Sequence, residues 1–161
     1  MLHVPDYQLL NTELAFVYGP FSAQSEYFHA VMNEEAGGRL DFNGCYFLAS
    51  YFLTGEHRPY SRETGAFTRV KPRENFFRVR DWKDCIRTGK GAWQLAYRYS
   101  YIDLDDGTVA GGRAGNHTFG ANWYLSPHAR LMFNYIYCST ERAGIDGGEL
   151  SALQMRAHVD F

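Results

Sequence analysis

The sequence predicts an all-β protein, an antiparallel transmembrane β-barrel, and three observations lead to this prediction. Apolar and polar residues alternate with period two in runs of about ten residues, the length of a tilted strand that crosses a bilayer. Aromatic residues make up 17% of the chain, with 12 Tyr, 12 Phe and 3 Trp. No run approaches the about 18 consecutive apolar residues of a spanning helix, so any membrane span in this sequence has to be a strand.

Residues 91–161 show the alternation most clearly. Between residues 93 and 101 one face carries Trp, Leu and Tyr, while the other carries Gln94, Ala96, Arg98 and Ser100. A soluble antiparallel sheet also alternates. Large aromatic residues near strand ends, together with Arg, His and Gln on the second face, favour a membrane barrel with a wet lumen. The alternatives are a soluble sandwich and a soluble ligand-binding barrel with the aromatic face inside.

We predict a single β-barrel portion over residues 1–161, with seven or eight strands. The strands lie at about 8–18, 21–32, 42–54, 92–104, 117–125, 129–138 and 150–161. Gly19-Pro20 and Ser126-Pro127 predict tight turns, and Gly- and Asp-rich gaps at 105–116 and 139–148 predict loops. The amino terminus carries no export signal, so either the chain is a mature or truncated piece of a longer chain, which we expect, or the membrane interpretation is wrong.

The alternation fails in a long connection at residues 55–91, which we call the basic segment. From Arg58 to Lys90 there are ten basic and four acidic residues, a net charge of +6, whereas the rest of the chain carries −8. Such a segment is either a solvated connection or an anion-attracting element at a pore mouth. In the second case the anion-attracting residues are Arg58, Arg62, Arg69, Lys71, Arg73, Arg78 and Arg80.

The place of the basic segment follows from the order of the strands. If the last strand ends at the periplasm, the basic segment lies on the periplasmic side with Gly19-Pro20 and Ser126-Pro127. Long periplasmic connections are unusual in porins. We therefore expect the basic segment to fold into the lumen or vestibule, or to contain one extra hairpin between residues 66–70 and 76–79.

Strand parity predicts four pore-lining basic residues: Arg98, Arg130, Arg156 and His158. Lumenal Arg binds transient anions, or it pairs with wall carboxylates such as Glu13, Glu26 and Asp160. We expect pairing for Arg156, because Asp160 shares its face. We expect the aromatic residues of the other face to form interface girdles rather than a ligand-stacking platform. No GxSxG, HExxH or Cys/His metal spacing occurs, and we expect no enzyme, no metal and no cofactor.

Four blocks of sequence carry a family resemblance: YFLTGEHRPYSRETGAFTRVKP at 51–72, GAWQLAYRYSYIDL at 91–104, NWYLSPHARLMFNYIY at 122–137 and LQMRAHVDF at 153–161. With these blocks the chain resembles the carboxyl-terminal portion of the phosphate-selective porin O and P family, which implies that it is a carboxyl-terminal fragment. The resemblance implies an outer-membrane barrel of about sixteen strands, trimeric at full length, that passes phosphate or other small anions.

The resemblance also implies partners. Phe161 looks like the family's signal for the barrel-assembly machinery, and the wall is expected to contact outer-membrane lipid, with no nucleic acid as partner. The alternative function is a non-conducting outer-membrane barrel, structural or enzymatic.

Overall fold

A computed structural model describes residues 6–33, 38–80, 85–107, 109–142 and 144–160, in which the regular structure is β. Seven long strands form one antiparallel sheet in the order β1-β2-β3-β8-β9-β10-β11. No helix in this part of the chain is long and apolar enough to cross a membrane. The predicted all-β antiparallel fold is confirmed. The long strands are β1 (Asp6–Tyr18), β2 (Phe21–Asn33), β3 (Arg39–Phe52), β8 (Ala92–Asp106), β9 (Val109–Ser126), β10 (Ala129–Arg142) and β11 (Ile145–Val159).

The register gives the sheet two distinct faces, because directly opposed residues of antiparallel strands point to the same side. We call the side that carries Gln94 and Arg98 the inner face and the side that carries Trp93 and Leu95 the outer face. One row of opposed residues crosses all seven strands on the inner face: Glu13, Glu26, Tyr46, Ser100, Asn116, Cys138 and Leu150.

The outer face is apolar and open. Leu14 is 71% exposed and Leu153 is 84% exposed, which is costly in water and expected against lipid. Trp93 and Trp123 stack with ring centroids 4.9 Å apart at one end of this face. Such a belt of large aromatic side chains around an apolar wall is typical of the lipid-facing side of a membrane barrel.

The two predicted Gly- and Asp-rich loops are wrong, because strands occupy most of these residues. β8 continues to Asp106 and β9 begins at Val109, and β10 and β11 approach each other in the same way between Arg142 and Ile145. Gly107, with φ of +54°, takes part in the first tight turn. Beyond the hydrocarbon layer both faces of a strand are wet, and the period-two hydropathy signal is lost although the backbone pairing continues.

The basic segment contains four short strands in place of the single predicted hairpin. β4 (Tyr60–Ser61) pairs with β5 (Ala66–Phe67), and β6 (Phe77–Arg80) pairs with β7 (Ile86–Gly89). The expected pairing of 66–70 with 76–79 is therefore wrong. Residues 68–76 connect the two observed hairpins instead, and Val70 in this connection packs against Phe52 and Tyr124 of the large sheet.

The basic segment is anchored to the inner face by one aliphatic side chain. Val70, 8% exposed, packs into a small core with Phe52, Ala92 and Tyr124 from β3, β8 and β9. Phe52 and Ala92 are 1% and 0% exposed, so this contact excludes water from the end of the sheet. The segment consequently covers one end of the inner face.

A buried carboxylate joins the start of the basic segment to its middle. Glu56, 5% exposed, accepts hydrogen bonds from the Thr54 hydroxyl and from the backbone N–H of Arg73, the latter at 3.1 Å. The Arg73 guanidinium donates to the Gly55 carbonyl oxygen at 2.6 Å. Gly55 has φ of +84°, a conformation that favours glycine. These bonds hold the two arms of the loop together.

Removing the aliphatic anchor should loosen the basic segment. Val70→Ala deletes two buried methyl groups, and we expect a loss of about 2 kcal/mol from local stability. Tryptic cleavage after the exposed Arg62 should then become about 30-fold faster, since proteolysis follows the population of the open state.

Val159→Ala is the matched control for this experiment, because Val159 lies on the outer face and is 57% exposed. Its cleavage rate should equal that of the parent protein. Equal rates for Val70→Ala and the parent protein would contradict the proposed anchor.

Candidate functional site: a basic cavity on the inner face

Buried polar side chains form a hydrogen-bonded belt across four strands beside the basic segment. Ser22 and Ser50 hydroxyl oxygens lie 2.8 Å apart, and the Gln94 amide donates to Ser50 Oγ at 2.8 Å. Asn122 and Tyr124 both donate to Gln94 Oε1 at 3.0 Å. Because a one-residue slip of any strand would break these bonds, we infer that the polar belt holds the register at this end.

A cavity of about 340 Å³ lies between the basic segment and the ends of β9, β10 and β11. We call it the basic cavity, because most of its charged or titratable side chains are basic. The segment provides Arg58 and Arg69, and the sheet end provides Arg130, His128, His158 and Asp160. Three guanidinium groups and one carboxylate leave a formal charge of +2 with neutral histidines. A concave, partly covered site with this charge attracts anions.

Two of the arginines are held by aromatic rings. The Arg58 guanidinium carbon lies 3.6 Å from the centre of the Phe67 ring, and that of Arg130 lies 5.9 Å from the centre of the Tyr124 ring. Desolvation by burial lowers the pKa of Arg58 below its ordinary value, and the group stays charged at neutral pH. Stacking uses the face of a guanidinium and leaves the in-plane N–H donors free for an oxyanion.

Two histidines of the basic cavity act as acceptors toward arginine. Arg130 Nε donates to His158 Nδ1 at 3.1 Å, so the proton of that ring lies on Nε2, which approaches Asp160 Oδ1 at 3.2 Å. Arg69 Nη1 lies 3.1 Å from His128 Nδ1, and only the arginine can donate in this contact. Both imidazoles thus position guanidinium groups.

Asp160 links the basic segment to the last strand. Its carboxylate lies 3.6 Å from Arg69 Nη2, and its backbone N–H donates to the His128 carbonyl oxygen at 2.8 Å. We expected Asp160 to pair with Arg156; among the described contacts it pairs instead with Arg69 and His158. The reason is the folded basic segment, which delivers Arg69 to this carboxylate from far away in sequence.

The remaining predicted anion-attracting residues lie elsewhere. Arg62 borders a groove with Glu13, and Lys71 borders a groove with Arg73 and Glu56. The Arg73 guanidinium is bound to the Gly55 carbonyl oxygen. Arg78 and Arg80 lie in β6, where their side chains are outside the described structure. Of the seven residues, Arg58 and Arg69 therefore line the basic cavity, and Arg69 also borders the neighbouring groove of Lys71 and Arg73.

The predicted pore-lining residues lie on the inner face, but they do not form one site. Arg130 and His158 belong to the basic cavity, whereas Arg98 lies over the Tyr46 ring at 4.6 Å, farther along the sheet. Arg156 is exposed and opposite Met132 in the register. Phe161, the predicted assembly signal, lies outside the described residues.

Sequence reasoning missed His128 and the aromatic floor of the basic cavity. His128 follows the Ser126-Pro127 turn, and Ser126 Oγ accepts from its backbone N–H at 3.2 Å. The signal for this site was available in part, because Arg130 and His158 are direct partners in any β10–β11 hairpin with a short loop. The approach of Phe67 and Arg69 from the basic segment had no local signal.

Comparison with known proteins gives a consistent result. The family model for phosphate-selective porin O and P matches residues 1–161. The chain is 28% identical over 155 residues to Porin O of Pseudomonas aeruginosa, covering 89% of this chain and 32% of that protein. It is 34% identical over 123 residues to an uncharacterized protein of Caulobacter vibrioides, covering 76% of this chain and 23% of that protein. The chain thus spans about a third or less of the length of these relatives.

Breaking the polar belt should destabilise the covered end of the sheet. Ser50→Ala leaves the Gln94 amide and the Ser22 hydroxyl without their shared partner in a buried place, and we expect a loss of about 2 kcal/mol or more. The measurement is the urea midpoint in detergent, with Ser25→Ala on the outer face of β2 as control. Identical midpoints for the two variants would contradict a stabilising belt.

Proposed function

Because the chain belongs to the phosphate-selective porin O and P family, whose members are outer-membrane porins, we propose that it forms part of the wall of a passive diffusion channel. We propose that this channel prefers phosphate or similar small anions. The observation that carries the preference is the basic cavity, where three arginines converge on the inner face. Guanidinium groups match the oxygens of phosphate with paired N–H donors, and a chloride ion uses only one acceptor centre.

The basic cavity is suited to transient rather than permanent binding. Arg69 and Asp160 are 42% and 41% exposed, and ion pairs of this exposure contribute about 0–1 kcal/mol. An arriving anion can therefore replace Asp160 beside Arg69 at little cost. Conduction needs a site that attracts the ion and then releases it, and a weak, exchangeable pair meets both needs.

The two sheet edges support a larger wall. In the described part of the chain β1 and β11 are the two edge strands of the sheet, and each pairs with a neighbouring strand on one edge only. A membrane offers no hydrogen bonds to an open edge, so both edges need strand partners in the working channel. We propose that the partners come from further strands of the complete protein, that the closed barrel assembles as a homotrimer in lipid, and that Phe161 contacts the assembly machinery.

Neutralising the basic cavity should reduce anion preference. We expect Arg58→Gln, Arg69→Gln and Arg130→Gln, combined in one protein, to lower the anion-to-cation permeability ratio. One charge at close range contributes about 1 kcal/mol in water, so the permeability ratio should fall about fivefold or more. Reversal potentials across planar bilayers in a KCl gradient measure this ratio.

The matched control changes two exposed cations outside the basic cavity, Arg62→Gln and Lys71→Gln, and should alter the ratio by less than about twofold. Equal ratios for the cavity variant and the control would contradict the assignment of selectivity to the basic cavity. Absence of any conductance from the folded complete protein, in which both sheet edges are paired, would instead favour a non-conducting structural barrel.

Preference for phosphate is tested by competition. Millimolar inorganic phosphate should reduce the chloride current of the parent protein, because phosphate occupies the guanidinium groups longer than chloride does. In the cavity variant the half-blocking concentration should rise about tenfold. A block that is unchanged in the variant would place phosphate recognition elsewhere in the protein.

A further inference from the structure

The inner face has an apolar hollow at the end opposite the basic cavity. The hollow has a volume of about 300 Å³, and its centre is Gly44 on β3. From the row of Tyr124 to the row of Gly44 is ten residues along β9, or about 33 Å at the rise of a strand. The hollow shares no lining residue with the basic cavity.

The register explains why a hollow forms at Gly44. Its direct cross-strand partners are Phe28 on β2 and Ile102 on β8, and its neighbours on the same face of β3 are Phe42 and Tyr46. Each of these four large side chains stands about 5–7 Å from a position that has no side chain. The result is a depression one side chain deep with apolar walls.

Backbone conformation does not account for this glycine. Gly44 is not among the glycines of positive φ, and a Cβ placed on it would lie 3.3 Å from the Tyr101 carbonyl oxygen and 3.7 Å from Ile102 Cγ1. A side chain could therefore be accommodated with small shifts. Glycine at this position leaves space between the surrounding large side chains.

A single cation borders the hollow among its described lining residues. The Arg98 guanidinium lies over the Tyr46 ring at 4.6 Å, and no side-chain hydrogen bond of Arg98 occurs among the described residues. The nearby carboxylates have donors of their own: Glu26 accepts from the Tyr46 hydroxyl at 2.7 Å, and Glu13 accepts from Gln24 at 3.3 Å. The hollow thus joins an apolar surface to one positive charge.

We propose that this hollow binds the aromatic ring of a small organic anion, an aryl carboxylate or aryl phosphonate, with the ring over Gly44 and the acid group on Arg98. A flat ring fits a depression bounded by Phe28, Phe42 and Ile102, and it removes apolar surface of these side chains from water. Ile102, which is 42% exposed, is one of the apolar side chains that such a ligand would cover. This proposal is independent of the anion preference assigned to the basic cavity.

A pair of phosphonates that differ only in the apolar group tests the proposal. Phenylphosphonate and methylphosphonate carry the same acid group, so the ratio of their dissociation constants measures the contribution of the ring to binding. We expect the purified protein in detergent to bind phenylphosphonate about tenfold more tightly by ligand-observed NMR, the effect of burying roughly two methylene equivalents of ring surface.

Two substitutions separate the contributions of ring and charge. Gly44→Leu fills the hollow and should bring the ratio of the two constants to about one. Arg98→Gln should weaken both ligands and keep the ratio. Gly115→Leu adds the same bulk on the outer face of β9, where a Cβ meets Ser139 Oγ at 3.5 Å, and should leave both constants unchanged.

Equal affinities of the two phosphonates for the parent protein would overturn the proposal, as would a preserved preference in folded Gly44→Leu. Folding of each variant is checked by the change of electrophoretic mobility on heating, and Gly44→Ala, which needs only small shifts, replaces Gly44→Leu if the latter does not fold. Anion selectivity in the KCl gradient should remain intact in both Gly44 variants, which separates a failure of this site from a failure of the basic cavity.

Discussion

The hydrogen-bonding demand of the backbone in lipid is the constraint on which the rest of this structure depends. No water reaches the hydrocarbon layer, so each strand has to satisfy its N–H and C=O groups on its neighbours, and the chain has to run as long paired strands. The period-two pattern follows from this demand, because a strand in a pore wall shows lipid on one side and water on the other. Leu14 and Glu13, adjacent in sequence, illustrate the two environments.

The inner face, which contacts water, can carry polar side chains that the lipid-facing side cannot. Ser22, Ser50 and Gln94 can be buried together because each finds a partner on the next strand, and the resulting belt is further shielded by the basic segment. The arginines are supported similarly, because the rings of Phe67, Tyr124 and Tyr46 lie against guanidinium groups. Aromatic residues therefore serve two purposes here, as lipid contact outside and as support for cations inside.

The wall was predictable from sequence, whereas the site was predictable only in part. Alternation is local information, and it was enough to find the long strands and to place Arg98, Arg130 and His158 on one face. The meeting of Arg69 with Asp160 spans 91 positions and depends on Val70 docking against Phe52, which no local pattern encodes. The loop predictions at the Gly- and Asp-rich gaps were wrong for another reason. Strand pairing continues beyond the hydrocarbon layer, where both faces of a strand are wet and the hydropathy no longer alternates.

The several attachments of the basic segment bear on how the channel could open and close. Arg69 pairs with Asp160 at the end of the last strand, Val70 is inserted among strands β3, β8 and β9, and Phe76 donates its backbone N–H to the Leu125 carbonyl oxygen at 2.7 Å. A loop held at three separate places cannot swing as a flap without losing all of them together. The basic segment is accordingly fixed against the inner face of the sheet, and in the proposed channel voltage-dependent closure would have to originate in another part of the protein.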